Sequence, residues 1–408
     1  MPINFIKYKN EEPTVKLIGL RVHVLHASFA DIYGGLERVP PSLRRPAAHF
    51  QRIERSGQYS TVIEAIGETG ERGWGEAFCL PHPGMASSLI EAVIAPALAG
   101  IELDEPAAAL HDLKTYFFAL GQTRGPVMEA LSGVDIALWD LKARVAGQPL
   151  CRLLGAEPGP VTAYVGSVPF LPTPGESAER AAAFAEQGFD GVKLKVGRGA
   201  QTDAAHVAAL RQALGGDVPI MLDANAAYGV EEAIAVARAV APHGVAWLEE
   251  PIAPDDPHAL AWVRKASPVP IAAGENEFDI TQFTRFVEAG ALDIVQPNIT
   301  RAGGITGMLA VDALCTKHGL ALAPHGVGSA IGVSAALHAC RAAKSFTRYE
   351  ANRLLNPLRD ELTQQPLLYA DGVFTAQDLP GHGAVPKPDQ LEAYALDPAA
   401  RGARHAAE

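Results

Sequence analysis

From about Thr162 to Glu350 the chain repeats one pattern eight times: a short apolar run followed by a stretch with helical spacing. The runs are TAYVGS, GVKLKV, VPIMLDA, VAWLEEP, VPIAAGE, LDIVQPN, LALAPH and FTRYE, separated by segments such as DAAHVAALRQALGG and GVEEAIAVARAVAPHG. Strand and helix alternating in this way predict an α/β fold of the (β/α)8 barrel type, a closed ring of parallel strands jacketed by helices.

The first 150 residues have a different texture. LIGLRVHVLHA and STVIEAIGETGERGWGEAF read as strands, the second folding back at Thr69-Gly70. MEALSGVDIALWDLKARVAG places Ala130, Val134, Ala137, Leu138 and Leu141 at helical spacing. Between them, residues 26–60 form a long polar stretch without clear period, expected to be a lid whose His26, Tyr33 and Arg38 meet the substrate. The predicted organisation is an α+β capping domain over 1–150, a barrel over 151–368, and a 369–408 segment that packs back on the capping domain.

The polar residues at the ends of the runs sharpen this picture. Lys195, Asp223, Glu249, Glu275, Asn298, His325 and Glu350 follow one another at 23 to 28 residues, about one strand-helix unit each time. A single register places them on one rim of the barrel, the face where barrel enzymes carry their active sites.

Composition narrows the possible partners. With 34 Lys and Arg against 46 Asp and Glu, the net charge of −12 disfavours nucleic acid and anionic membranes. Cys79, Cys151, Cys315 and Cys340 show no metal-type spacing and read as plain thiols of a reducing compartment. The N-terminal MPINFIKYKNEEPTVK lacks the apolar core of a signal peptide, so a cytoplasmic location is the expectation.

Asp223 in LDAN, Glu249 in WLEEP and Glu275 in AAGEN end three consecutive strands. Three carboxylates converging on one point repel unless a cation lies between them, and an all-oxygen donor set selects a hard divalent ion, Mg²⁺. Lys193 and Lys195 alternate with apolar neighbours in GVKLKVG and so share a face, that of the same cavity. Crowding by a second ammonium, by the metal charge and by burial is expected to lower such a lysine from about 10.4 toward ~7–8, where it serves as a base. His325 in LAPHGVG approaches from the opposite side. Lysine on one side and histidine on the other suggest removal of a proton next to a carboxylate, with Mg²⁺ offsetting the enediolate charge.

ALSGVDIALWDLKAR, the K-x-K pair, LDAN, EEP, GEN, QPNITRAGGITG, PHG and the closing DG…LPGHG together resemble the enolase superfamily, specifically its mandelate racemase group. The resemblance covers essentially the whole chain. It implies Asp223, Glu249 and Glu275 as Mg²⁺ ligands and Lys195 as an acid/base catalyst, tuned by Lys193, which also contacts the substrate carboxylate. It further implies His325 as the opposite-face catalyst, Asn225 as a hydrogen-bonding residue near the metal, and Glu350 as a partner of the substrate carboxylate. Homo-oligomers are common in the family.

One departure bears on the reaction. Many relatives pair the histidine with an aspartate where this chain has Asn298. An amide that accepts a hydrogen bond from His325 still orients it but adds no charge, which weakens it as a base. The expectation is therefore a Mg²⁺-dependent lyase that dehydrates a sugar acid through an enediolate. The alternative is a racemase, an epimerase or a sugar-acid lactone cycloisomerase. Arg301 is a candidate neighbour of the carboxylates, Gly303 and Gly304 are assigned to a tight strand-to-helix turn, and Glu250 is left outside the ligand set.

Overall fold

The computed structural model describes residues 14–45, 54–80 and 82–396. Four strands, β1 (Val15–Ser28), β2 (Gly57–Gly67), β3 (Arg72–Ala77) and β4 (Glu102–Leu103), form an antiparallel sheet in the order β3-β2-β1-β4. Helix α1 (Pro126–Val145) crosses this sheet. A Cβ on Gly75 of β3 would lie 2.1 Å from the Gly133 carbonyl oxygen of α1, so the backbones meet with no side chain between them. The helix is buried along nearly its whole length because the sheet covers one side and the barrel the other.

The eight apolar runs form β5 (Gly159–Val168), β6 (Val192–Lys195), β7 (Ile220–Asp223), β8 (Val245–Glu249), β9 (Ile271–Ala273), β10 (Ile294–Val295), β11 (Ala321–Leu322) and β12 (Tyr349–Ala351). Each of β5 to β10 pairs parallel with the next. β12 pairs with β5, and Phe346 just ahead of it bridges to Leu322 of β11, which closes the ring. Outward-facing side chains such as Leu194, Leu222, Leu248 and Val295 join one continuous core with helix residues such as Leu210, Val236, Val263 and Phe283. Each such side chain contributes about 1.5–3 kcal/mol on burial.

The C-terminal segment divides between the two parts. Strands β13 (Leu368–Ala370) and β14 (Val373–Ala376) form a hairpin whose second strand pairs antiparallel with the start of β5, so it extends the barrel wall. Farther on, His382 inserts between Trp74 and Asp140, and Tyr394 and Leu396 bond to β1, so that stretch covers the sheet. The lid stretch is also less irregular than its sequence implies. Its ends are strand, and Ser28 caps a short helix at Phe29–Tyr33; residues 46–53 of the predicted lid lie outside the described residues.

Buried carboxylates of the capping domain fasten it to the barrel. Glu76 accepts from Ser329 N (3.0 Å) and Gly332 N (2.9 Å) at the start of helix α2 (Ala330–Ala342). Asp135 of α1 accepts from Thr306 N (3.0 Å) and Thr306 Oγ1 (2.5 Å) at the start of the helix Gly304–His318. Gly303 (φ 91°) and Gly304 (φ 69°) make the preceding turn, and a Cβ on Gly304 would strike the Asp135 carboxylate at 2.4 Å. These carboxylates satisfy amide groups that a helix start leaves unpaired.

Burial pushes the Asp135 carboxyl up to about 7, against the pull of its Thr306 bonds. Between about 4 and 7 the folded chain holds a proton there that the unfolded chain has lost, so this group's stabilisation is full at acid pH and disappears as pH rises through 7. Thermal unfolding across pH 5–8 is expected to show Asp135→Asn losing part of the wild-type decline, with the two proteins diverging by a few kcal/mol at the alkaline end.

Candidate active site

Alternation along the barrel strands turns one set of side chains inward. Tyr164, Met221, Trp247, Ala272, Ile294 and Ala323 fill the interior as an apolar plug. One inward step farther along, Lys195 pairs in register with Asp223, and Asp223 with Glu249. The two lysines of GVKLKVG do share this face, and Lys193 is wholly buried (0%).

Glu275 does not follow the same phase. Ala272 faces inward, so period two would turn residue 274 in and 275 out. Gly274, at φ 136°, breaks that alternation; a Cβ there would lie 3.0 Å from Gln296 N and from the Phe283 ring. Glu275 is thereby re-aimed, and the structure brings ligand atoms of Asp223, Glu249 and Glu275 within 4.8 Å of one another.

The lysines hold two of these carboxylates. Lys193 Nζ lies 2.6 Å from Glu249 Oε1, 3.0 Å from Glu350 Oε2 and 3.5 Å from Asp223 Oδ2. Lys195 donates to Asp223 and, at 3.0 Å, to Asn225 Oδ1. Asn225 (φ 44°) and Ala226 (φ 61°) take left-handed conformations that fold the LDAN segment back over the strand end, and Asn225 N closes on Asp223 Oδ1 at 2.9 Å. Glu249 Oε2 accepts from Gln296 Nε2 (2.7 Å) and Trp247 Nε1 (3.3 Å), and Tyr164 OH lies 3.4 Å from Glu350 Oε2.

The expected lowering of the lysines is not what their protein neighbours produce. Burial alone would lower both, but Glu249 and Glu350 around Lys193, and Asp223 beside Lys195, outweigh it and hold both ammonium groups above the ordinary lysine value. Asp223 is held below the carboxylate range: burial opposes this, and the two ammonium groups overcome it. Burial raises Glu249, with Asp223, Glu350 and Glu275 adding to it against the attraction of Lys193; it also raises Glu350.

The donor set fits a hard divalent cation. All three groups offer carboxylate oxygens, and Glu275 Oε2 is buried with no hydrogen-bond partner. His325 Nε2 is 3.0 Å from that oxygen but misaligned for a hydrogen bond.

Asn298 corrects a further expectation, because it does not accept from His325. Its Oδ1 is taken by Thr300 N (3.0 Å) and Thr300 Oγ1 (2.7 Å), and the backbone N–H fixes which end of the amide is oxygen. The amide nitrogen therefore faces His325 Nδ1 at 3.0 Å. A group with only hydrogens to offer requires Nδ1 to accept, so the ring carries its proton on Nε2, toward the cavity. Burial lowers His325 and outweighs the pull of Glu275, so the ring is a neutral donor.

Behind the triad lies a support that sequence reasoning only touched. Arg301 is buried, stacks 3.7 Å from the centre of the Phe78 ring, and donates to Glu129 Oε1 (3.1 Å), the Glu275 carbonyl (3.1 Å) and Asn276 Oδ1 (2.5 Å). Asn276 Nδ2 holds both oxygens of Glu250, at 2.8 and 3.0 Å. Glu250 (φ 39°) thus lines the cavity with an amide as its partner. Gln296 was legible as the residue two before Asn298 on the same face; Asn276 carried no such signal.

The capping domain roofs this rim, leaving a cavity of about 1130 Å³. Lys195, Asn225, Glu275, His325 and Glu350 line its floor; Phe29, Arg45, Glu54, Arg55, Gln58 and Tyr59 line its roof. Of the three lid residues expected at the substrate, none lines it: His26 stacks behind Tyr59, with ring centres 4.6 Å apart, and Tyr33 and Arg38 lie outside the lining. No helix among the described residues is long and apolar enough to cross a membrane.

Comparison with known proteins agrees with this geometry. Residues 38–155 match the family "Mandelate racemase / muconate lactonizing enzyme, N-terminal domain", and residues 176–390 match "Enolase C-terminal domain-like". D-galactarolactone cycloisomerase of Agrobacterium fabrum is 32% identical over 357 residues, 85% of this chain and 93% of that protein. L-talarate/galactarate dehydratase of Salmonella typhimurium is 37% identical over 239 residues, 58% of this chain and 59% of that one. Among solved structures, a racemase from Streptomyces coelicolor with bound magnesium aligns at a TM-score of 0.82 and 28% identity, covering 93% of this chain and 100% of its own.

Replacing Glu275 by Gln keeps the shape and removes one charge from the triad. Titration calorimetry is expected to show Mg²⁺ affinity falling by about 100-fold or more, since even the outer partners of metal ligands are worth 10–100-fold; an unchanged affinity would place the cation elsewhere.

Proposed function

The chain belongs to the enolase superfamily, in its mandelate racemase group, and on that footing we propose that it catalyses a Mg²⁺-dependent β-elimination from a sugar acid, releasing water to give a 2-keto-3-deoxy acid. Asp223, Glu249 and Glu275 would hold the cation, which when bound supplies positive charge against the enediolate. A divalent charge shared with Asp223 would lower the Lys195 ammonium that Asp223 otherwise holds up; its neutral Nζ then takes the proton α to the carboxylate, and the ammonium so formed can return it to the departing β-oxygen. Lys193 and Glu350, joined at 3.0 Å, position the substrate carboxylate. His325 faces the opposite side and donates its Nε2–H to a substrate oxygen, as a neutral imidazole can.

The observation that carries this reading is the amide of Asn298 donating to His325 Nδ1. It leaves a single base in the cavity. Racemisation needs a base on each face; elimination needs one base and a donor. A second reading shares the same steps. Where the β-oxygen belongs to a ring, its departure opens the ring without loss of mass, and the product is an isomer. The likeness to D-galactarolactone cycloisomerase over 93% of that protein favours this variant for a lactone substrate.

Incubation of the Mg²⁺-loaded protein with a panel of aldonic acids, aldaric acids and their lactones is expected to yield a semicarbazide-reactive keto acid, and mass spectrometry separates loss of water from isomerisation. Lys195→Met should lower kcat by a factor of about 100 to 10,000, the usual worth of a positioned acid/base group. Solvent deuterium appearing in recovered substrate, with no keto acid formed, would instead establish an isomerase with two bases.

Asn298→Asp provides an independent check. A carboxylate opposite Nδ1 accepts, so the proton moves to that nitrogen and Nε2 gains a lone pair toward the cavity. Proton NMR is expected to show solvent deuterium entering recovered substrate in this variant where the wild type shows none.

A further inference from the structure

The roof of the cavity holds a cation without a counter-ion among the described residues. Arg55 follows the lid stretch and leads into β2, its guanidinium facing the cavity below the Phe29 ring, with Cζ 6.0 Å from the ring centre. Among the described residues its one side-chain hydrogen bond is Nη2 to Gln58 Oε1 at 3.1 Å, and Nε is shut off from solvent without a partner. The neighbouring Arg44 and Arg45 are both paired with Glu54, which uses up the carboxylate closest in sequence. Among the described residues no carboxylate pairs with Arg55. The titratable groups acting on it are the Cys79 thiol, which burial pushes up, and the Tyr59 phenol, neither of them a carboxylate.

A guanidinium taken out of water without an anion is costly. At the floor of the same cavity the cations are already matched: Lys193 and Lys195 by Asp223, Glu249 and Glu350. Arg55 stands across the cavity from them, shut off from solvent at Nε and without a carboxylate among the described residues, whereas Arg198, the other lining cation without one, is solvent-exposed over the Phe170 ring. Its planar fork suits a carboxylate better than a single hydroxyl, since two parallel N–H groups can meet two oxygens.

Resting on the sugar-acid reading of this cavity, we infer that Arg55 is a specificity-determining residue that pairs with a second carboxylate at the far end of the substrate. The preferred substrates are then dicarboxylic sugar acids, and monocarboxylic acids of the same length are poorer ligands. Gln58 positions the guanidinium: its amide oxygen takes Nη2 while its Nε2 is anchored at 3.2 Å to the Leu355 carbonyl, on the loop after β12.

The test measures the affinity of the Mg²⁺-loaded full chain for matched six-carbon pairs, galactarate against galactonate and glucarate against gluconate, by titration calorimetry. Wild type is expected to favour the diacid of the better-bound pair by about 10- to 100-fold, the worth of a charged hydrogen bond. Arg55→Met should remove most of that ratio, and Arg55→Lys, which keeps the charge but not the fork, should retain part of it. Melting curves establish that both variants are folded. A wild-type preference for the monoacid, or a diacid preference that survives Arg55→Met, overturns the assignment. Keto-acid formation is read separately. If the ratio collapses in Arg55→Met although wild type turns over none of the acids, the elimination reading fails and this one stands. Turnover with an unmoved ratio has the opposite meaning.

Discussion

Five charges share the closed end of the barrel mouth, and the chain tolerates them there only together. Asp223, Glu249 and Glu275 are drawn to one point by three consecutive strands; Lys193 and Lys195 reach the same point from the strand before. Remove the ammonium groups and the carboxylates have neither water nor a counter-charge to offset their burial. Without the carboxylates, two cations would be stranded in an apolar wall. The lysines therefore share the field of these carboxylates, the same field that a divalent cation would draw on.

That balance requires the surrounding backbone to be exact about direction. Gly274 turns a carboxylate inward against the strand's own alternation, and Gly166 leaves the space that Glu350 fills; a Cβ there would lie 1.8 Å from Glu350 Oε1. Asn225, Ala226 and Glu250 hold positive φ angles that cost energy elsewhere in a protein and here aim groups into the cavity. The apolar plug below, with Trp247 and Tyr164 edge to face at 5.3 Å, keeps water from approaching the charges from beneath.

Much of this was legible before any coordinate. The barrel followed from eight apolar runs, and the rim from the even spacing of the polar residue that ends each run, because both depend on local periodicity. The site's polarity was not legible. Whether Asn298 gives or takes a hydrogen bond depends on Thr300, which turns back to occupy its carbonyl oxygen. The lysines' protonation depends on how close the carboxylates come, which spacing alone does not reveal. The stretch that forms the roof was legible but its cavity-facing residues were not: His26, Tyr33 and Arg38 are polar residues in an apparently aperiodic stretch, and only the register of β1 against β2 brings Gln58 and Tyr59 to the cavity.

Most of the roof and most of the anchors of the capping domain fall on separate stretches of chain. Residues 29–45 and 54–59 carry much of the roof that faces the cavity, whereas α1 carries Asp135, Asp140 and Glu129, whose hold on Arg301 reaches the Glu275 carbonyl; Glu76 of β3 does both. Such a division lets the roof be rewritten for a new molecule while the catalytic floor stays in tune. Conversely, a domain swap that brings in a foreign α1 without a carboxyl group at position 129 disturbs the third acid of the triad from outside the barrel. Diversification of the cap and preservation of the chemistry are thus compatible only along one of its two segments.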